Sequence, residues 1–190
     1  MKEDEILTIF KKTGALLSGH FLLTSGLHSE QYFQCAKVLQ FPEIAEKLCA
    51  QIGNHYTENN IGAVIAPAVG GIVVAHEVAR SLKVRALFAE RENDKMVLRR
   101  GFEIQTGESV LVVEDVVTTG GSVREVLDLV KGFGAEPIGV GCLVDRSGGK
   151  VDFGTELYSL ITLKIEVFSP EKCPLCTQGV PLVKPGSRNI

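Results

Sequence analysis

An α/β protein doubly wound about a mostly parallel sheet is the fold class this chain predicts, and three observations predict it. Short unbroken apolar runs recur at residues 62–66, 84–89, 110–113 and 138–144, the pattern of strands buried on both faces. Between such runs the period turns helical, as where Val123, Val126, Leu127 and Val130 share one face and Arg124, Glu125, Asp128 and Lys131 lie away from it. Loops of small residues, 67–71 and 118–122, stand at two strand-to-helix joints. Strands alternating with helices in this way belong to parallel sheets with crossover helices.

Taken in order, residues 3–17 predict an amphipathic helix with Ile6, Ile9, Phe10 and Leu17 inward. The stretch GHFLLTSGLHSEQYF reads as a hairpin packed on the core or as a cover for a flat ligand. Pro42 suits a first helical turn and Glu43 and Glu46 its positive end, with Ile44, Leu48, Cys49 and Ile52 as a buried stripe through about residue 58. After strand 62–66, the loop Pro67-Ala68-Val69-Gly70-Gly71 is open to two readings, an anion site built of backbone N–H groups or a tight turn that binds nothing. It leads into a helix with Ile72, Ala75, Ala79 and Leu82 on one side.

Beyond strand 84–89 the run ERENDKMVLRRG is by composition a solvated charged hairpin. Its position between core strands, on the side where the small-residue loops emerge, makes its cations available to an anionic ligand. Strand 138–144 ends in Asp145-Arg146-Ser147-Gly148-Gly149, and a strand-end arginine is a surface residue unless a carboxylate awaits it in a pocket. Residues 157–163 read as a further strand, at an edge or packed on the first helix.

Length and composition narrow the function. The 190 residues suit one domain, 1–190, in which 1–40 and the tail 164–190 are peripheral elements. The chain is 45% apolar and 23% charged with a net charge of −3, so nothing electrostatic points to nucleic acid. No apolar stretch is long enough to cross a bilayer, and MKEDEILTIFKK has no secretory core segment, which predicts a cytoplasmic protein. Five cysteines (35, 49, 142, 173 and 176) do not form a disulfide framework and read as reduced, small apolar residues. Cys173-Pro174-Leu175-Cys176 has the spacing of half a zinc site. The four histidines (20, 28, 55 and 76) offer no ligand spacing, so zinc within one chain is not expected, leaving a site shared between subunits or none.

The chemistry is concentrated in VLVVEDVVTTGGS, residues 110–122. Glycines and hydroxyl residues ahead of a helix turn several N–H groups toward one point, where the helix dipole favours a phosphate. Glu114 and Asp115 would repel a bare phosphate but hold sugar hydroxyls or approach a hydrated metal, so the ligand implied is a phosphorylated sugar. Neither the ATP P-loop nor the dinucleotide glycine fingerprint is present. This run resembles the 5-phosphoribosyl-1-diphosphate (PRPP) binding motif of the type I phosphoribosyltransferases. Phe21, Leu23, Ser25, Gly26, Ser29, Tyr32 and Phe33 are spaced as in the N-terminal segment of the orotate phosphoribosyltransferases, which closes over the pyrimidine base. Thr24 stands where those enzymes often carry a lysine.

The resemblance covers nearly the whole chain and implies the type I phosphoribosyltransferase fold, a Mg²⁺ cofactor and a homodimer with shared sites. It implies that Glu114, Asp115, Val116, Val117, Thr118, Thr119, Gly120, Gly121 and Ser122 contact PRPP. Gly70 would do so from the diphosphate loop, where some relatives carry a lysine. Thr118, Arg146 and Phe33 would contact orotate, the arginine meeting its carboxylate. Arg91 and Lys95 would be catalytic, on a mobile loop reaching into the neighbouring subunit; Glu92 replaces a common lysine there, and Arg99 and Arg100 are weaker candidates. A purine phosphoribosyltransferase, a PRPP-sensing regulator that binds nucleic acid and a non-catalytic sugar-phosphate module are the competing readings.

Overall fold

The structure, a computed structural model, describes residues 1–23 and 25–185; Thr24 lies outside the described residues. Helix α1 (Glu3–Lys12) has acids in its first turn and lysines in its last, each complementing the helix dipole. It is shorter than the periodicity predicts. Gly14, at φ +67°, ends it, and the Ala15 N–H returns to the Phe10 carbonyl at 2.8 Å, a left-handed C-terminal cap. Leu17 therefore belongs to β1 (Leu16–Leu22), which pairs antiparallel with β2 (His28–Phe33). The short α2 (Ala36–Leu39) then leads to α3 (Pro42–His55), whose buried stripe is Ala45, Leu48, Cys49 and Ile52.

The central sheet comprises β3 (Ala63–Pro67), β4 (Arg85–Glu92), β5 (Lys95–Leu98), β6 (Ser109–Val117), β7 (Glu136–Asp145) and β8 (Leu157–Thr162), in the order β5-β4-β3-β6-β7-β8. Only β5 runs antiparallel to its neighbour. Helix α4 (Gly71–Leu82) crosses from β3 outward to β4, and α5 (Gly121–Gly132) crosses from β6 outward to β7. The two crossovers head in opposite directions, so the right-handed rule puts their helices on opposite faces.

Burial follows that rule. Val64, Ala66, Leu111 and Val113 face α1, α3 and α4, while Ala63, Ile65, Val110 and Val112 face α5. The doubly wound sheet expected from the apolar runs is the sheet observed. Its topological switch point lies between β3 and β6, and a crevice opens there at the strands' carboxyl ends.

The charged run is a hairpin in this structure. Asn93 and Asp94 adopt positive φ of 48° and 61°, and Glu92 faces Lys95 across β4–β5, the two-residue turn whose twist suits antiparallel strands. Strand β8 is the opposite edge of the sheet, and Leu160 and Ile161 share a core with Ile6 and Phe10 of α1.

The tail brings two of the free cysteines together with two histidines. Strand β9 (Val167–Phe168) pairs with β2, and a short helix α6 (Pro174–Thr177) sets Cys173 and Cys176 beside His20 and His28. The two histidines are eight apart in sequence, but the β1–β2 register places His28 opposite Leu22 and so diagonal to His20 on one face. Cys35, Cys49 and Cys142 are buried as expected, and burial pushes the Cys49 thiol up to about 12.

Candidate active site

Two small-residue loops close on the switch point from either side. On the β3 side the ladder to β6 ends at Ile65–Val112, but on the other side β6 stays paired with β7 to Val117–Asp145. Glu114 and Asp115 thus sit inside the last turns of a strand, not beyond it, along its open edge. A Cβ on Gly70 would stand 2.9 Å from Asp115 Oδ2, and one on Gly71 would stand 3.1 Å from Glu114 Oε1 and 2.6 Å from the Ala66 methyl. Only glycines let the loop approach the acids this closely, and a lysine at 70 would displace the Asp115 carboxylate.

The acids are strongly perturbed. Burial, followed by the charge of Asp115, raises Glu114 well above the ordinary carboxylate range. Burial raises Asp115 too, although the hydrogen bond between the two side chains pulls it back. Of the two carboxyls, Glu114 is the one raised well above its ordinary range. Glu114 Oε1 also accepts the Asp115 N–H at 3.0 Å, and Asp115 Oδ1 accepts the Val116 N–H at 2.8 Å.

A buried carboxyl with a raised pKa stabilises the fold while protonated. That stability is lost as pH climbs from the ordinary glutamate value of 4.5 through the folded-state value. Glu114→Gln should accordingly raise the melting temperature of the ligand-free chain at pH 7 by about 2–4 °C and flatten its decline with pH. Calorimetry from pH 4 to 8 checks this, and a variant melting below wild type at pH 7 would refute the assignment.

The loop after β6 has the form expected of an anion cradle. Gly120 takes φ +76°, and the first helical bond of α5 runs from the Arg124 N–H to the Gly120 carbonyl, so the preceding amides have no intrahelical partner. A pocket of 80 Å³ lies over them, lined by Glu114, Val116, Val117 and residues 118–123.

Sequence reasoning missed one brace. Arg124 donates from Nη1 to the Thr119 carbonyl and from Nη2 to the Asp152 carbonyl, each at 2.8 Å, with its guanidinium 5.2 Å from the Phe153 ring centre. It was legible only as a polar residue on the outer face of a helix, because Asp152 and Phe153, which fix its direction, lie on a later loop.

Beside the cradle is a larger cavity of 430 Å³, lined by Leu23, Ser25, Leu27, Tyr32 and Phe33 from the hairpin, Thr118 and Thr119, Arg146, Ile165 and Val167. Thr118 and Thr119 line both spaces, so a sugar phosphate in one abuts a flat ligand in the other. Phe33 borders the cavity but also packs edge-on to Phe10, 5.9 Å between centres, and serves the core as much as the ligand. Arg146 is half-buried, and its Nε has no partner among the described residues. Burial holds its guanidinium below its usual range, which marks a cation awaiting an anion.

Arg91 and Lys95 do not line either space. Arg91 pairs with Glu125 at 2.9 Å and donates to the Asp94 carbonyl. Arg99 and Arg100 pair with Glu92 and Glu90.

Comparison with known proteins agrees with this geometry. The family described as "Phosphoribosyl transferase domain" matches residues 36–172. An orotate phosphoribosyltransferase of Desulforamulus reducens is 59% identical over 190 residues, covering 100% of both chains. Another, of Caldicellulosiruptor bescii, is 56% identical over 99% of each. The crystal structure of orotate phosphoribosyltransferase from Aeropyrum pernix superposes with a TM-score of 0.72 at 28% identity, over 84% of this chain and 94% of that one. A sequence match that runs from end to end, on a fold with both loops in place, means that the chain belongs to the phosphoribosyl transferase family and, within it, to the orotate phosphoribosyltransferases.

Proposed function

We propose that the chain transfers the 5-phosphoribosyl group from PRPP to orotate, giving orotidine 5′-monophosphate and diphosphate in pyrimidine synthesis. The observation that carries this is the Arg146 guanidinium, its Nε without a partner among the described residues, in the wall of a cavity that abuts the 118–122 loop. A planar guanidinium meets a carboxylate through two parallel hydrogen bonds, and orotate is the nucleobase substrate that bears one.

The amides of residues 118–122 would hold the 5′-phosphate, Glu114 and Asp115 the ribose hydroxyls, and Gly70 the diphosphate through its backbone. The orotate ring nitrogen forms the new bond to the anomeric carbon as the bond to diphosphate breaks, the electrons of that bond leave with the diphosphate, and the nitrogen's proton passes to the departing diphosphate or to water. No strong general base is required. The acid pair offers oxygen donors of the kind Mg²⁺ accepts alongside substrate oxygens and water, and when bound the ion would neutralise the departing diphosphate.

The whole chain would work as one unit, residues 1–40 and 164–190 covering the base, in the cytoplasm. Arg91 and Lys95 would act in the site of a second copy, because in their own chain they line neither space. On that reading Lys95→Ala lowers turnover by ~100-fold or more with little change in PRPP affinity; turnover near wild type would remove the hairpin from the mechanism.

Incubation with PRPP, Mg²⁺ and each of orotate, uracil, hypoxanthine, guanine and xanthine tests the assignment. Nucleotide should form with orotate alone, and formation from a purine would overturn it.

A further inference from the structure

We infer that His20, His28, Cys173 and Cys176 bind one structural zinc ion that fastens the C-terminal tail to the β1–β2 hairpin. Their four ligand atoms lie within 4.8 Å of one another. His20 Nε2 is 2.8 Å from His28 Nδ1 and 3.4 Å from Cys173 Sγ. Cys176 Sγ is 3.7 Å from His20 Nε2 and 3.3 Å from His28 Nδ1.

A tetrahedral zinc with Zn–N of about 2.0–2.1 Å and Zn–S of about 2.3 Å separates nitrogens by about 3.3 Å and nitrogen from sulfur by about 3.5 Å. The three nitrogen–sulfur distances given above scatter about that value. The two imidazole nitrogens must part by about half an ångström to admit the ion.

The surroundings of the cluster favour a metal over a chance encounter. His20 Nδ1 stands 2.8 Å from the Val180 carbonyl, a contact that fixes the proton on Nδ1 and leaves Nε2 free to ligate. His20, His28 and Cys173 are buried, and two thiols with two imidazoles are a donor set that soft-tolerant, tetrahedral zinc prefers and magnesium does not. Binding releases two thiol protons to solvent, and Zn²⁺ with two thiolates and two neutral imidazoles is uncharged, which suits a buried site. With four protein ligands there is no open position for chemistry, so the role is structural. All four residues fall outside the 36–172 span matched by the phosphoribosyl transferase domain, so the site is an addition to that domain.

The tether has a consequence that rests on the base-pocket reading. Leu27 precedes His28, and Val167 lies in β9, which pairs with His28 and Ser29; both line the 430 Å³ cavity. Loss of the ion frees that wall, so the KM for orotate should rise several-fold while that for PRPP holds. Metal content is independent of this reading, and the two ideas can therefore fail separately.

Full-length protein from zinc-supplemented growth, purified without chelator, should carry one zinc per chain by mass spectrometry of the metal. The double variant Cys173→Ser, Cys176→Ser should carry none, and Cys176→Ser alone should lose at least ~100-fold in zinc affinity. The wild-type chain loaded with Co²⁺ instead should show the visible bands of a tetrahedral, thiolate-bound ion. Stripping zinc should lower the melting temperature, and zinc alone should restore it. A zinc-free wild type without those cobalt bands, zinc retained by the double variant, or a native Cys173–Cys176 disulfide would each overturn the proposal. If the double variant does not accumulate as soluble protein, the wild-type cobalt spectrum decides.

Discussion

Arg146→Ala is expected to cut kcat/KM for orotate by at least about two orders of magnitude, because removing one partner of a buried charge pair costs roughly 2–5 kcal/mol. The arginine is held for this task. Its N–H donates to the Val117 carbonyl at 2.8 Å, and the Asp145 carboxylate beneath it accepts the Ser147 and Gly149 N–H groups at 2.8 and 2.9 Å. A backbone clamped on both sides leaves the guanidinium little choice but the cavity.

In the ligand-free chain this arrangement is costly, since the Nε has no partner among the described residues and a buried unsatisfied donor costs about 1–3 kcal/mol. The variant should therefore melt no lower than wild type, which separates lost recognition from lost fold. Arg146→Lys keeps the charge without the fork and should fall between the two. Steady-state kinetics with orotate and PRPP varied separately would read the effect, PRPP binding being little changed. Wild-type efficiency with orotate in the alanine variant would mean that the carboxylate is met elsewhere.

Gly120→Ala is expected to be nearly as damaging, but through PRPP. At φ +76° an alanine pays about 1–2 kcal/mol of backbone strain. Its Cβ would also lie 2.7 Å from Phe153 Cε1 and 2.9 Å from Val151 Cγ1. Phe153 is buried and stacked under Arg124, so it cannot swing away cheaply, and the loop itself must shift. Misplacing phosphate donors by about 1 Å can cost ~100-fold. The KM for PRPP should rise by that order, while orotate recognition at Arg146 remains intact. Titration of the variant with PRPP, followed by intrinsic fluorescence or calorimetry, would show it; unchanged affinity would mean that the loop does not hold the phosphate.

These two sites differ in how far the sequence disclosed them. The form of the loop was legible, its Arg124 brace apart, since an apolar strand, an acidic pair, small residues and a helix are contiguous and each is a local signal. Arg146 was legible as a strand-end arginine, but its cavity was not, because Leu23, Leu27, Tyr32, Ile165 and Val167 reach it from opposite ends of the chain. The charged run was read both as a hairpin and as a reaching loop. Asn93 and Asp94 in left-handed conformation settle its shape in this chain, and its catalytic role remains the proposal tested by Lys95→Ala.

By itself the sequence determined the doubly wound sheet, the small-residue loop ahead of α5 and the acid pair beside it, because periodicity and turn chemistry act over a few residues and need no partner. Only the tertiary structure decided what distant segments do together. It set Gly70 and Gly71 against the acids, turned Arg124 into a brace, and joined two histidines without ligand spacing to a lone Cys-x-x-Cys more than 140 residues away. Ligation depends on position in space, and here that position follows from the register of one hairpin and the return of the tail, neither of which leaves a local trace in the chain.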